Sequence, residues 1–314
     1  MSLSTDGPAS AGAQLPAITR PAPITLWRRW LSPRKLWANR LGVFGGGVFL
    51  LFLLCGIFAP WIAPKDPNEV DLLARFSEPI FLNAQEGQGV LGTDFLGRDV
   101  FSRLIYGARI AAIVALTASA LSGVIGITLG IATAYYGGFV DDIIMRFADT
   151  YDAIPGLILI LALLAFIPGG VLTLILLLGI VGGGWIGTVR IVRGESLSLR
   201  GRDYVLAAEA LGASDKRIMF RHILPNTLAP IIVGKTMGIG GVILAESGLS
   251  FLGLGVPPDV PSWGRMLSEA QEFILVAWWP SIFPGLVITF VVLSTVFLGD
   301  WLRDTLDPRL RGSR

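Results

Sequence analysis

Long stretches without a charged side chain constrain this sequence more than any other feature. Four of them contain no Asp, Glu, Lys or Arg, at residues 42–63, 110–136, 153–189 and 274–299. A helix needs about 20 apolar residues to cross a hydrocarbon layer of about 30 Å, and each stretch is long enough. Only 15% of the residues are charged and the mean hydropathy is +0.68. The chain is therefore predicted to be an integral membrane protein.

The number of crossings follows from the lengths of these stretches. Residues 153–189 are too many for one crossing at about 1.5 Å per residue. Pro168, Gly169 and Gly170 interrupt them and predict two helices joined by a tight turn. A further crossing is predicted at 227–244, where Lys235 either reaches the membrane surface or faces a polar interior. The fold class is thus an all-α polytopic membrane protein with six transmembrane helices.

Lysine and arginine are distributed unequally between the two sides of this arrangement. With the N-terminus in the cytoplasm, 19 of the 25 basic residues fall on the cytoplasmic side and six on the other. Cytoplasmic segments of membrane proteins are enriched in these residues. Both termini and residues 190–226 are therefore predicted to be cytoplasmic, and residues 64–109 and 246–273 to be outside.

Four regions follow from these assignments. Residues 1–40 are predicted to form a cytoplasmic N-terminal tail that ends in an interfacial segment rich in basic and aromatic side chains. Residues 41–107 contain the first transmembrane helix and an extracytoplasmic segment. Residues 108–304 contain the other five helices, and residues 305–314 form a cytoplasmic C-terminal tail.

The polar segment before the fifth predicted crossing has the composition of two short helices. Residues 203–211 are rich in alanine and other strong helix formers, and Gly212 is suited to end that helix. A second helix can begin at Ser214, and Pro225 is expected to close the segment. A pair of helices that protrudes from a membrane domain is suited to docking on another protein.

This segment resembles the cytoplasmic coupling loop of the permease subunits of ABC importers. The family motif is Glu-Ala-Ala, three residues, Gly, nine residues and Ile-x-Leu-Pro. The positions that match are Ala207, Ala208, Gly212, Leu224 and Pro225. Leu206 and His222 depart from it, because they stand where the Glu and the Ile are expected. The contact that the family assigns to its Glu therefore does not carry over.

The resemblance implies a coupling loop at about residues 193–226 and a set of residues that couple to an ATPase. These are Ala207, Ala208, Glu209, Gly212, Ala213, Asp215, Leu224 and Pro225.

Two stretches on the predicted outer side are similar to the dipeptide/oligopeptide/nickel branch of these importers. They are Leu91–Val100, continuing to Arg109, and Glu246–Gly255, continuing to Gly264. Together with the loop, they identify the chain as resembling a C-type permease subunit over roughly residues 40–310. The resemblance implies the type I ABC importer permease fold.

Six residues are candidates for a functional site. Asp94, Arg98 and Asp99 either belong to the architecture of a loop at the membrane rim or contact a solute-binding protein. Glu246 and Ser247, at the outer end of the fifth crossing, are candidates for the pathway or a gate, as is Lys235. An ionisable residue within a membrane is a functional candidate by default.

The composition excludes several kinds of chemistry. The chain has one cysteine, Cys55, and one histidine, His222, so neither a disulfide framework nor a metal site is predicted. It contains no Gly-x-x-x-x-Gly-Lys-Ser/Thr sequence, so it cannot hold the phosphates of ATP. The chain is therefore predicted to be non-catalytic and to bind no cofactor, with ATP and Mg²⁺ used by partner ATPases.

The resemblance implies a subunit of an ATP-driven, binding-protein-dependent importer in the bacterial plasma (inner) membrane, most simply for di- or oligopeptides. Its implied partners are a homologous B-type permease, two ABC ATPases, a solute-binding protein outside and the lipid bilayer, with no nucleic acid. Importers of nickel, glutathione or oligosaccharides share this architecture and remain alternatives. An ion-coupled secondary transporter would show inverted repeats and several buried ionisable groups, and an exporter would lack a solute-binding partner.

The predicted orientation is tested by labelling single cysteines in a chain that lacks Cys55. An impermeant thiol reagent applied from outside should react with an Asp66→Cys variant and leave an Asp215→Cys variant unlabelled until the membrane is opened. Labelling of position 215 in intact cells would contradict the predicted orientation.

Overall fold

The computed structural model describes residues 39–82 and 89–306. The predicted N-terminal tail lies outside this part except for its last two residues, and the predicted C-terminal tail lies outside it from residue 307. Most of the described residues are helical, and the β-structure among them is a single antiparallel bridge between Thr93 and Asp99.

The helices are numbered here in chain order. They are α1 (Arg40–Ile57), α2 (Ala59–Ile62), α3 (Val100–Tyr136), α4 (Gly138–Asp152), α5 (Gly156–Leu164), α6 (Val171–Leu176), α7 (Gly184–Arg200), α8 (Asp203–Ala210), α9 (Asp215–Arg217), α10 (Leu224–Phe251), α11 (Trp263–Ala270) and α12 (Trp279–Leu306). Short 3-10 helices lie at Leu72–Ala74 and Gln271–Phe273, and π-helical turns at Leu177–Val181 and Ile218–Ile223.

Four of the described helices are long and apolar enough to cross a membrane, namely α1, α3, α12 and the continuous helix Asp215–Phe251 that contains α9 and α10. Two bent pairs also pass this test. Helices α4 and α5 are bent by 74°, and Val171–Val181 and α7 are bent by 40°. If each bent pair is one crossing, the described residues contain six, in agreement with the prediction. The direction of the crossings stays a prediction.

The boundaries of the crossings differ from the predicted ones for local reasons. Helix α3 begins at Val100 rather than at residue 110, because the Asp99 carboxylate accepts a hydrogen bond from the backbone N–H of Ser102 at 2.7 Å. The uncharged stretch 153–189 is interrupted between α5 and α6, as expected. It is also broken at Pro155 and at Gly183, which has a φ of +74°. The first half of the stretch therefore bends relative to α4, and the second half bends relative to α7, and both of these helices carry charges.

The last two crossings are also shifted from their predicted positions. Helix α10 continues to Phe251 instead of ending at residue 244, so Glu246 lies inside the helix. Helix α12 begins at Trp279 and runs to Leu306, whereas 274–299 was expected. Pro280 occupies its first turn, where a missing backbone N–H removes no helical hydrogen bond.

Small residues allow α3 and α7 to pack with their backbones close together. A Cβ atom at Gly126 would lie 2.5 Å from Cβ of Thr188, and one at Gly130 would lie 2.7 Å from Cβ of Val192. Such contacts are shorter than van der Waals distances, so both positions require glycine at this separation. Close approach of this kind is how helices associate in lipid, where burial of apolar surface gives little drive.

Glycines also allow α12 to pack closely against α1 and α10. A Cβ atom at Gly45 of α1 would lie 2.6 Å from Cβ of Phe297, and one at Gly240 of α10 would lie 2.5 Å from the Thr295 hydroxyl. These three helices and α3 share one apolar core, which includes Phe52, Ile243 and Val291.

Two tryptophans anchor the end of this core at which α3 begins. The indole N–H of Trp263 donates to the Leu104 carbonyl at 2.9 Å, and that of Trp279 donates to the Thr93 carbonyl at 3.0 Å. Both side chains are buried, so each combines a large apolar contact with a satisfied donor. They hold α11 and the start of α12 against α3 and the loop before it.

Candidate functional sites

The polar segment after α7 ends its first helix as the sequence predicts. Gly212 has a φ of +78°. Its backbone N–H donates to Glu209, and the N–H of Ala213 donates to Ala208 at 3.0 Å. This pair of bonds is a Schellman motif, which satisfies carbonyls at the helix end and favours glycine in the left-handed position. Position 212 needs a glycine because of its left-handed backbone conformation. Crowding is not the reason, because no atom lies within 4 Å of where a Cβ would be.

The second predicted helix begins after Ser214, but Pro225 does not close the segment. Helix α9 passes through the π-helical turn Ile218–Ile223 into α10 without a break. In this turn the N–H of Leu224 bonds to the carbonyl of Met219, one residue further back than in an α-helix. The Asn226 side chain donates to the His222 carbonyl at 2.7 Å. The wider turn and this side chain accommodate a proline that would otherwise break the helix.

The predicted coupling residues are mostly exposed. Ala207, Glu209, Gly212, Asp215 and Pro225 lie at the surface, whereas three others are half-buried. Those three are Ala208, Ala213 and Leu224.

Three large apolar side chains of the same segment are exposed. Leu211 is 88% exposed, Phe220 53% and Leu206 49%. We call the surface formed by Leu206, Leu211 and Phe220 the apolar patch of the segment. Exposed apolar side chains on a polar segment make that segment a candidate for a protein-binding surface.

Contacts beneath the apolar patch join the segment to the membrane helices. Val205, Ile218 and Ile223 form a small buried core. The hydroxyl of Tyr135, at the end of α3, donates to the Asp215 carboxylate at 2.8 Å. The Arg200 guanidinium lies over the Tyr135 ring at 5.5 Å and donates to the Ala134 carbonyl. The segment is therefore held to the C-terminal end of α3 by apolar packing and by polar contacts. Sequence reasoning did not find Tyr135.

Asp94 and Arg98 are part of a buried charge cluster on the predicted outer side. Asp94 pairs with Arg98 at 2.7 Å and with Arg103 at 2.5 Å. Glu269 of α11 pairs with the same two arginines, at 2.6 Å and 2.9 Å. Arg265 completes the cluster through a pair with Glu269 at 3.1 Å. The cluster therefore connects the loop, the first turn of α3 and α11.

Asp99 has a different role from its two neighbours, because it caps α3 instead of pairing with an arginine. All three predicted residues are buried, which gives them a structural role in this chain. Whether a solute-binding protein touches the surface above them stays a prediction. Arg103 and Glu269 were not predicted, although a basic residue one turn after the Asp99 cap was a usable signal for Arg103. Glu269 lies 166 positions after Arg103 in the sequence, so no local pattern could have indicated the glutamate.

Glu246 is buried inside the chain near the C-terminal end of α10. Its side chain is 1% exposed. One carboxylate oxygen accepts from the Ser250 hydroxyl at 2.8 Å, and the other accepts from the Ser247 hydroxyl at 3.4 Å. The start of α11 packs against this turn, because Gly264 lies directly on the Ser247 backbone. Its assignment to a pathway or gate stays a prediction.

Lys235 occupies a cavity between α3, α7 and α10. The cavity has a volume of about 150 Å³. The ammonium group donates to the Ser122 hydroxyl at 2.8 Å and to the Gly184 carbonyl at 3.2 Å. Of the two alternatives for Lys235, these contacts correspond to the one in which it faces a polar interior. Glu246 lies about 16 Å further along the same helix, from the usual rise per residue.

Comparisons with known proteins were made for the whole chain. Residues 126–312 match the family model described as binding-protein-dependent transport system inner membrane component, and residues 25–79 match the N-terminal transmembrane domain of oligopeptide transport permease C.

Three relatives are similar over nearly the full length. The di/tripeptide transport system permease protein DppC of Pseudomonas aeruginosa is 38% identical, over 97% of this chain and 98% of the relative. The oligopeptide transport system permease protein OppC of Bacillus subtilis is 36% identical, over 92% and 91%. The glutathione transport system permease protein GsiD of Pectobacterium atrosepticum is 36% identical, over 95% and 96%.

The charge cluster leads to a prediction about stability. A Glu269→Gln substitution leaves two buried arginines with one carboxylate, and breaking a buried pair costs about 3–5 kcal/mol. The unfolding midpoint of the purified protein should fall by about 5 °C or more. Glu272→Gln is the matched control, because Glu272 is exposed, and it should leave the midpoint unchanged. Equal midpoints for the two variants would show that the cluster does not hold α11 in place.

Proposed function

Because this chain belongs to the family of binding-protein-dependent transport system inner membrane components, as a multi-pass ABC transporter permease of the inner membrane, we propose that it forms part of the pathway of a peptide importer. The substrates are di- or oligopeptides, and a homologous B-type permease supplies the rest of the pathway. Two ATPases bind in the cytoplasm, and a solute-binding protein delivers the substrate outside. The family match, and the three relatives whose names specify peptides or glutathione, support this proposal.

The cytoplasmic segment supports the coupling part of the proposal. It presents the apolar patch to water, and its buried core is attached to α3 and α10. An ATPase that covers Leu206 and Leu211 would gain apolar burial there. Leu206 stands where the family motif has a glutamate, so an apolar contact replaces a polar one at this point.

Motion of the docked ATPases can then reach the membrane by two connections. One is the hydrogen bond between Tyr135 and Asp215, which links the segment to α3. The other is the continuous helix Asp215–Phe251, which carries Lys235 and Glu246. Closure of the ATPases on ATP would draw the segments together and favour one arrangement of the permease pair, as differential contacts shift a two-state equilibrium. The chain itself binds no nucleotide, cofactor or metal in this proposal.

Reconstitution in liposomes tests the proposed function. The chain, its B-type partner and the ATPases are combined with the binding protein, and accumulation of labelled di- and oligopeptides is measured with and without ATP. Nickel chelates, glutathione and oligosaccharides serve as the alternative substrates. ATP- and binding-protein-dependent peptide accumulation is expected. Uptake driven by an ion gradient without ATP, or uptake of only a non-peptide substrate, would contradict the proposal.

Gly212→Val should uncouple this complex. A side chain in the left-handed position costs about 1 kcal/mol or more and misdirects the turn into α9. We expect insertion and expression close to wild type, with uptake and binding-protein-stimulated ATP hydrolysis reduced at least about tenfold. Gly201→Val is the control, since Gly201 lies in the same segment with a φ of −82° and equally open surroundings. Near wild-type transport by the Gly212 variant would show that the segment does not couple.

A further inference from the structure

The cavity around Lys235 contains a positive charge that the described part of the chain does not neutralise. Its lining residues come from α3, α7 and α10 and are uncharged apart from Lys235. They are Ser119, Ser122, Gly184, Gly187, Thr188, Ile191, Ile231, Gly234, Lys235, Gly238 and Val242. Within residues 39–82 and 89–306, Lys235 forms no ion pair. A charge in a transmembrane helix is costly and usually marks a substrate or ion pathway.

Hydrogen bonds orient the ammonium group without using all of its donors. It has three N–H groups, and two of them donate to Ser122 and Gly184. The Ser122 hydroxyl donates in turn to the Ser119 carbonyl at 3.1 Å, so its lone pair is directed at the lysine. Ser122 and Gly184 are therefore acceptors that fix the ammonium in place. One N–H remains for a ligand in the cavity.

The cavity has space for such a ligand because glycines line it. No atom lies within 4 Å of the position that a Cβ would occupy at Gly187 or Gly238. At Gly123 of α3, a Cβ would touch the Lys235 stem at 3.5 Å. The volume of about 150 Å³ is well above the roughly 10–15 Å³ that one water molecule requires. A carboxylate and the atoms next to it fit in this space.

We propose that Lys235, held by Ser122 and Gly184, is a subsite for the carboxylate of the transported substrate on the pathway of this chain. This inference rests on the proposed function. A free peptide carries a C-terminal carboxylate whatever its side chains, so a fixed cation recognises all peptides by one group. Charge-assisted hydrogen bonds to a carboxylate are roughly twice as strong as neutral ones, and the partly dry cavity strengthens them further.

The test uses the reconstituted complex with two substitutions of Lys235. Lys235→Met removes the charge and keeps the length of the side chain, and Lys235→Arg keeps the charge. Each is supplied with a peptide and with the same peptide as its C-terminal amide, at concentrations measured to load the binding protein fully. Uptake, stimulated ATP hydrolysis and the unfolding midpoint of the complex are recorded.

We expect Lys235→Met to lower uptake of the free peptide at least about tenfold, which corresponds to about 1.4 kcal/mol. Its uptake of the amide should equal that of wild type, and Lys235→Arg should retain most uptake of both. The unfolding midpoint should stay close to wild type, because the subsite acts on the substrate and not on assembly.

Other outcomes overturn the inference in distinguishable ways. If Lys235→Met lowers the unfolding midpoint and the uptake of both peptides together, the lysine pairs with a carboxylate of the partner permease instead. If both peptides enter at the wild-type rate, the cavity is not a subsite. If the wild-type complex takes up no peptide, the proposed function itself fails, whatever the variants do.

Discussion

The close approach of α3 to α7 is the constraint on which the rest of the structure depends. The two backbones can lie this near each other only because Gly126 and Gly130 have no side chains. Helix α3 then contributes to three of the candidate sites: Arg103 to the charge cluster at its start, Ser122 to the cavity at its middle and Tyr135 to the segment after α7 at its end. A change in the position of α3 would therefore alter all three sites together.

A second helix connects the same three levels and contains a point at which it can deform. From Asp215 to Phe251 the chain is helical for 37 residues, or about 55 Å at the usual rise. The π-helical turn at Ile218–Ile223 lies near its start, between Asp215 and Lys235. π-Helical turns interrupt the regular hydrogen-bond ladder, so they are places where a helix can change direction. A force applied to the segment would therefore pass through this turn before it reaches Lys235.

The sequence predicts those features that depend on local chemistry. Uncharged stretches indicate the crossings, and Gly212 marks the end of α8, since a left-handed residue at a helix end has a simple residue preference. It does not predict where α3 begins, because the Asp99 cap extends the helix into a polar segment that lies before the uncharged stretch. Pro225 was expected to end a helix, and the prediction was wrong because a wider turn accommodates it. Glu269 and Tyr135 belong to their sites through contacts between residues far apart in sequence, which one sequence does not reveal.

The charged side chains in the apolar parts of this protein have three different kinds of surroundings, and this difference bears on function. At the start of α3, Asp94 and Glu269 neutralise Arg98 and Arg103 within the chain. Glu246 is enclosed and receives hydroxyl donors from Ser247 and Ser250, which stabilise it without a cation. Lys235 alone of these groups opens onto a cavity of about 150 Å³.

Since uncompensated charge costs several kcal/mol when it leaves water, a charge that the chain pairs or encloses contributes to one fixed arrangement. The free energy of a charge in an open cavity instead depends on what enters it. A ligand of opposite charge can therefore be recognised there, in a way that the charge cluster and Glu246 do not allow.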